Sequence, residues 1–190
     1  FRMPIRKLPL AINAHLPEDI RIVSASRCRG DFHARFQARG KEYRYFIWNH
    51  PVMNPLRRHQ AWHVPKPLDL PAMRAAARRL KGKHDFRAFA ANRNYEVEHT
   101  VRTLSRCRIL REGPLITVVL RADGFLYKMC RGIVGTLVQV GQGKLGAVEI
   151  APARGGGLVG LDRLPLPVGG ERRDQRVLGR QHHVGGAEEG

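Results

Sequence analysis

Carboxylates are scarce in this chain: 16 Asp and Glu stand against 34 Lys and Arg, leaving a formal net charge of +18. An excess of that size points to a polyanionic partner, nucleic acid before any other, and says little about the fold. Long apolar runs are lacking too. No stretch reaches the roughly 18 unbroken apolar residues of a membrane span, and the basic residues are dispersed through folded-looking sequence, so no membrane partner is expected. Residues 1–20 hold no apolar signal-peptide core followed by a small-residue cleavage site, which leaves a cytoplasmic location as the expectation. The start at Phe1 suggests a truncated N-terminus.

Cysteine is sparse. Cys28, Cys107 and Cys130 are widely spaced and form no CxxC, which excludes a disulfide framework and a thiolate metal site and leaves buried, reduced thiols. His59 and His63 stand four apart, but no Glu adjoins His59, no third ligand is evident, and Pro65 argues against a helix there. No metal is expected. Aromatic residues are missing from 151–190, a stretch that holds ten of the 20 Gly and six basic against five acidic residues. The charge and every Phe, Tyr and Trp therefore lie in 1–150. The tail reads as turns or irregular chain without a core.

What is present is organised. The chain is long enough for one full hydrophobic core and part of a second. Residues 20–25 (IRIVSA) and 41–48 (KEYRYFIW) have strand composition, with Tyr43 and Tyr45 on one face of the second. Residues 103–111 and 115–122 flank Glu112, Gly113 and Pro114 and predict an antiparallel hairpin. Asp69 can cap a helix with Pro71 in its first turn and Leu70, Met73, Ala77 and Leu80 as its apolar stripe, ended by Lys81 and Gly82. A second helical period runs from Leu126 to about Val140, with Lys128 and Arg131 as its basic exceptions. The expected fold is α+β: a mixed or antiparallel sheet with helices on one face and the other face open to RNA.

Two stretches stand out. In residues 31–50 aromatic side chains alternate with Arg, Lys and His. That composition fits rings that stack on an unpaired base between cations that hold phosphates, and fits equally a strand with an aromatic core face and a solvated basic face. In residues 123–135 (DGFLYKMCRGIVG), Asp123 and Gly124 shape a turn, Phe125 and Tyr127 stand at a helix start, and Arg131 lies one turn on. An Arg on an apolar helix needs a carboxylate or solvent.

Three blocks in order, LAINAHLPEDI (10–20), DFHARF with KEYRY (31–45) and GFLYKMCRGIVGTLVQVGQGK (124–144), together with HDFRAFA at 84–90, resemble the tRNA pseudouridine synthase A family. The resemblance implies a pseudouridine synthase fold in which 1–26 end an N-terminal α/β domain, 27–150 form the C-terminal α/β domain, and 151–190 match neither the helix nor the strand that should follow, as a shifted reading frame would explain. It implies isomerisation of uridine to pseudouridine at positions 38, 39 and 40 of the tRNA anticodon arm, by a homodimer and without cofactor or metal. The family's nucleophile is an Asp in an RTDxGVHA-type motif; these 190 residues contain none, so the fragment is expected to be inactive alone. Tyr43 matches a Tyr that packs against the target base and is implicated in proton transfer. Arg131 matches the Arg that pairs with the nucleophile. Arg35, with Phe36, supports the cleft by RNA contact or a salt bridge, and Phe125 and Tyr127 complete the substrate contacts. The family carries Asn where Gly132 stands here, and often His where Lys128 stands. The competing class is a basic RNA-binding protein without chemistry.

Overall fold

The computed structural model describes residues 3–34, 36–90 and 99–146. The chain divides into two compact units, 1–37 and 38–190. The boundary after residue 26 rests on family resemblance, and the 151–190 tail lies outside the described residues.

In the first unit a 3-10 turn (Ile5–Lys7) leads into a short helix, α1 (Leu8–Asn13). The strand expected at residues 20–25 is absent: those residues are unpaired chain. The Asn13 side-chain amide donates to the Ile22 carbonyl at 2.9 Å and accepts from the Ile22 N–H at 2.7 Å. One carboxamide thus satisfies the groups a neighbouring strand would have bonded. Val23 is 93% exposed, so its β-branched shape finds no sheet surface to pack on.

Among the described residues the second unit is built on a five-stranded sheet in the order β2-β1-β5-β4-β3. Its strands are β1 (Lys41–Trp48), β2 (Trp62–His63), β3 (Gly82–Asp85), β4 (Val101–Glu112) and β5 (Leu115–Ala122). Only β1 and β2 pair in parallel; β1–β5, β5–β4 and β4–β3 are antiparallel. The sheet is therefore mixed and the fold α+β, as expected. The hairpin of β4 and β5 turns through Gly113 and Pro114, with Gly113 at φ +54°, a conformation that glycine adopts without a Cβ penalty. Asn49, buried at the end of β1, donates from its side chain to the Val64 and Lys66 carbonyls (2.9 and 2.7 Å) and from its backbone to Pro114 O (2.8 Å). It ties the far end of β1 to the hairpin tip and to the chain beyond β2.

Helix α2 (Leu70–Leu80) starts where its cap demands: the Asp69 carboxylate accepts from the Ala72 N–H at 2.9 Å, with Pro71 in the first turn. Its buried face is Leu70, Met73, Ala76, Ala77 and Leu80. Helix α3 (Met129–Gly141) buries Met129, Cys130, Ile133, Val134, Leu137 and Val138. The two helices pack together, and the Asp69 N–H donates to Gly141 O at 2.8 Å, joining the start of α2 to the end of α3. Their apolar faces enclose Ile47, Leu104, Ile109, Ile116, Val118 and Leu120 from the sheet in one core.

A β-bulge between Leu104 and Arg106 inserts Ser105, whose hydroxyl donates to Arg121 O at 3.0 Å. The extra residue shifts the alternation by one, so Leu104, Cys107 and Ile109 all face the helices. Cys107 is half-buried and Cys130 buried, but Cys28 is exposed, which corrects the expectation of three buried thiols. Its place in the turn-rich segment before β1 gives it no core to enter. No helix among the described residues is long and apolar enough to cross a membrane.

Candidate substrate pocket

Strand alternation decides what each face of β1 carries. Tyr43, Tyr45 and Ile47 pair with Leu120, Val118 and Ile116 of β5 and point to the helices. Where β1 passes the N-terminal end of α3, these tyrosines and the segment 125–131 line a pocket of about 290 Å³. The lining is Tyr43, Tyr45 and Phe125 through Arg131. These tyrosines share the parity of the core, so the pocket they line lies on the helix-covered face of the sheet.

Tyr43 meets Phe125 edge to face, centroids 5.0 Å apart and planes at 85°, a favoured aromatic geometry that fixes both rings. Tyr127 is 43% exposed, with the Lys128 ammonium 5.5 Å from its ring centroid. Arg131 lies one turn into α3 and is engaged within the structure rather than free. Among the described residues no Asp or Glu lines the pocket, and its walls are aromatic, aliphatic or sulfur-bearing, and cationic. Such a chamber suits a flat, uncharged ring attached to a phosphodiester chain.

Four of the five residues singled out in the sequence, Tyr43, Phe125, Tyr127 and Arg131, meet in this pocket. Arg35 lies outside the described residues. Phe36 belongs to the first unit, where it stacks on His33 at 4.3 Å. Phe125 and Tyr127 do not begin the helix as expected: α3 starts at Met129, after a turn, and its N-cap residue Lys128 sits at φ 58°, ψ 3° without a side-chain cap bond. Lys128 is the one non-glycine residue of positive φ among the described residues. In the sequence Lys128 stands out as a basic exception on an apolar helix and as a departure from the family's frequent His; no periodicity announces a left-handed residue.

The other face of β1 holds a charged cluster. Glu42 pairs across β5 with Arg121, and Arg121 in turn with Arg106 of β4. The Glu42 carboxylate is 8% exposed; one oxygen accepts from Arg44 Nε and Nη2 (3.0 and 2.9 Å), the other from Arg106 Nη1 at 3.4 Å. This clamp spans three strands directly behind Tyr43. His59 and His63 are each bonded elsewhere, His59 accepting from Arg58 Nε at 2.8 Å and His63 Nε2 lying 2.9 Å from His50 O.

Burial controls the thiols: it pushes Cys107 up to about 12, and it raises Cys130 further, with Cys107 as a second cause. Neither is a nucleophile at neutral pH.

Comparison with known proteins matches residues 76–153 to the tRNA pseudouridine synthase family model. The chain is 44% identical over 143 residues to tRNA pseudouridine synthase A of Methylacidiphilum infernorum, covering 75% of this chain and 56% of that protein. It is 48% identical over 142 residues to the Shouchella clausii protein of the same name (74% and 53%), and 44% over 152 residues to that of Moorella thermoacetica (80% and 61%). The chain thus spans little more than half the length of these relatives. Over the aligned three quarters of its length the chain is similar to tRNA pseudouridine synthase A.

Proposed function

We propose that these residues form the base-holding side of a tRNA pseudouridine synthase site that isomerises uridine at positions 38 to 40 of the anticodon arm. In that reaction the C1′–N1 bond of uridine breaks, the uracil turns, a C1′–C5 bond forms, the C5 hydrogen leaves as a proton, and the freed N1 takes up a proton. The observation that carries the reading is the pocket itself, four rings beside Arg131 and, among the described residues, no carboxylate. Tyr43 packs on the extruded uracil and takes part in moving the C5 proton. Phe125 holds Tyr43 in place, Tyr127 stacks at the mouth, and Arg131 pairs with a nucleophilic carboxylate supplied from outside the pocket lining. The working molecule is a cytoplasmic homodimer on tRNA.

Because these 190 residues contain no RTDxGVHA-type motif, the chain alone binds tRNA and leaves uridine unmodified. Tritium release from 5-tritiated tRNA tests this. Release is expected only when the chain is extended by a segment bearing that motif, and Tyr43→Phe in the extended protein lowers turnover more than affinity. Release by the 190-residue chain itself would mean that another residue here is the nucleophile. Salt-dependent binding with no release from the extended protein would favour a non-catalytic RNA-binding protein.

A further inference from the structure

Lys128 combines three properties that the base-holding role leaves unexplained. Its backbone is left-handed at φ 58°, a conformation that costs an ordinary residue on the order of 1–2 kcal/mol, where glycine or asparagine would turn the chain with less strain. Its side chain caps nothing. Its ammonium lies 5.5 Å from the Tyr127 ring centroid, on a pocket whose lining, among the described residues, offers no carboxylate to pair with it. Strain held at a pocket is informative only when it delivers a group somewhere useful.

We propose that Lys128 is a phosphate-binding residue, reading the phosphodiester adjoining the base that Tyr127 stacks; this rests on the RNA reading of the pocket. Tyr127 and Lys128 are consecutive and present a ring face and a cation side by side, the two chemistries of one nucleotide. Lysine suits the task as a compact point charge on a flexible stem, needing no planar, two-pronged geometry. Arg131, engaged on the helix one turn further in, is left to the carboxylate side of the chemistry.

The test is equilibrium binding of the 190-residue chain to a uridine-bearing RNA hairpin across a salt series, with melting temperature measured beside it. Each phosphate contact adds about 0.7 to 0.9 to the slope of log affinity against log salt. Lys128→Gly, which keeps the left-handed backbone, is expected to reduce the slope by about that amount. It would shrink the affinity loss between about 50 and about 200 mM salt roughly threefold, with the melting temperature unchanged or raised. Lys128→Arg is expected to retain the slope. An unchanged slope in Lys128→Gly, with or without a lowered melting temperature, would reduce Lys128 to packing on Tyr127 and overturn the assignment. Absence of salt-dependent binding by the unsubstituted chain would instead overturn the RNA reading, and the assignment with it.

Discussion

Substituting Glu42 by Gln tests whether the clamp behind Tyr43 holds the sheet together. The carboxylate is buried and accepts three hydrogen bonds, two from Arg44 and one from Arg106, whose side chains are 47% and 45% exposed. Removing a buried, charge-assisted partner costs about 1.5–3 kcal/mol, whereas fully exposed pairs are worth about 0.2–1 kcal/mol. With one partner buried and two half in water, the expected loss is about 1.5 kcal/mol. An amide would also turn an N–H donor toward one of the guanidinium groups, leaving donor against donor. For a folded unit of about 100 residues the melting temperature should fall by roughly 5–10 °C. The assay is urea and thermal unfolding of four proteins: wild type, Glu42→Gln, Arg106→Ala and the double variant. The cycle should return a coupling of about 0.5–1 kcal/mol between residues 42 and 106. A coupling indistinguishable from zero, or a Glu42→Gln protein as stable as wild type, would mean that water already satisfies the carboxylate and that the clamp is geometry without energy.

Three further outcomes are expected. The Thr100 hydroxyl, and next to it the Arg87 N–H and charge, hold the Asp85 carboxyl below its ordinary value of 3.8. Its contribution is then full above about pH 4 and lost as pH falls through the lower, folded value, so Asp85→Asn should flatten the acid end of a stability–pH curve by lowering stability at neutral pH and leaving the most acid points nearly untouched. Iodoacetamide at neutral pH should label Cys28 quickly and leave Cys107 and Cys130 to react only as the sheet and α3 open, a contrast that mass spectrometry over time would reveal or refute. Asn49→Leu strands the Val64 and Lys66 carbonyls without their donor and should destabilise by about 2–3 kcal/mol in urea unfolding; a loss under about 0.5 kcal/mol would show that water replaces the amide.

Where local chemistry and tertiary environment agree, the sequence was readable. The Asp69 cap with Pro71 located α2, alternating aromatics located β1, and Gly113–Pro114 located the hairpin. Failures came where one residue overrode a pattern. Asn13 supplied to Ile22 what a strand would have given, Ser105 broke the period of β4, and left-handed Lys128 delayed α3 to Met129. Strands β2 and β3, of two and four residues, are too short to carry a period. The pocket was legible residue by residue but not as a place, since a strand's composition does not say which face the helices cover.

The parity of β1 also limits how this chain can change over time. Eight consecutive residues pair with β5 without interruption, and odd positions serve the pocket while even positions build the clamp. Inserting or deleting a single residue early in the stretch from Lys41 to Trp48 would rotate Tyr43 and Tyr45 out to the Arg rows or swing Glu42 into the apolar core, losing the pocket lining and the clamp in one event. Point substitution can therefore tune either face independently, whereas a one-residue change in the strand's length destroys both.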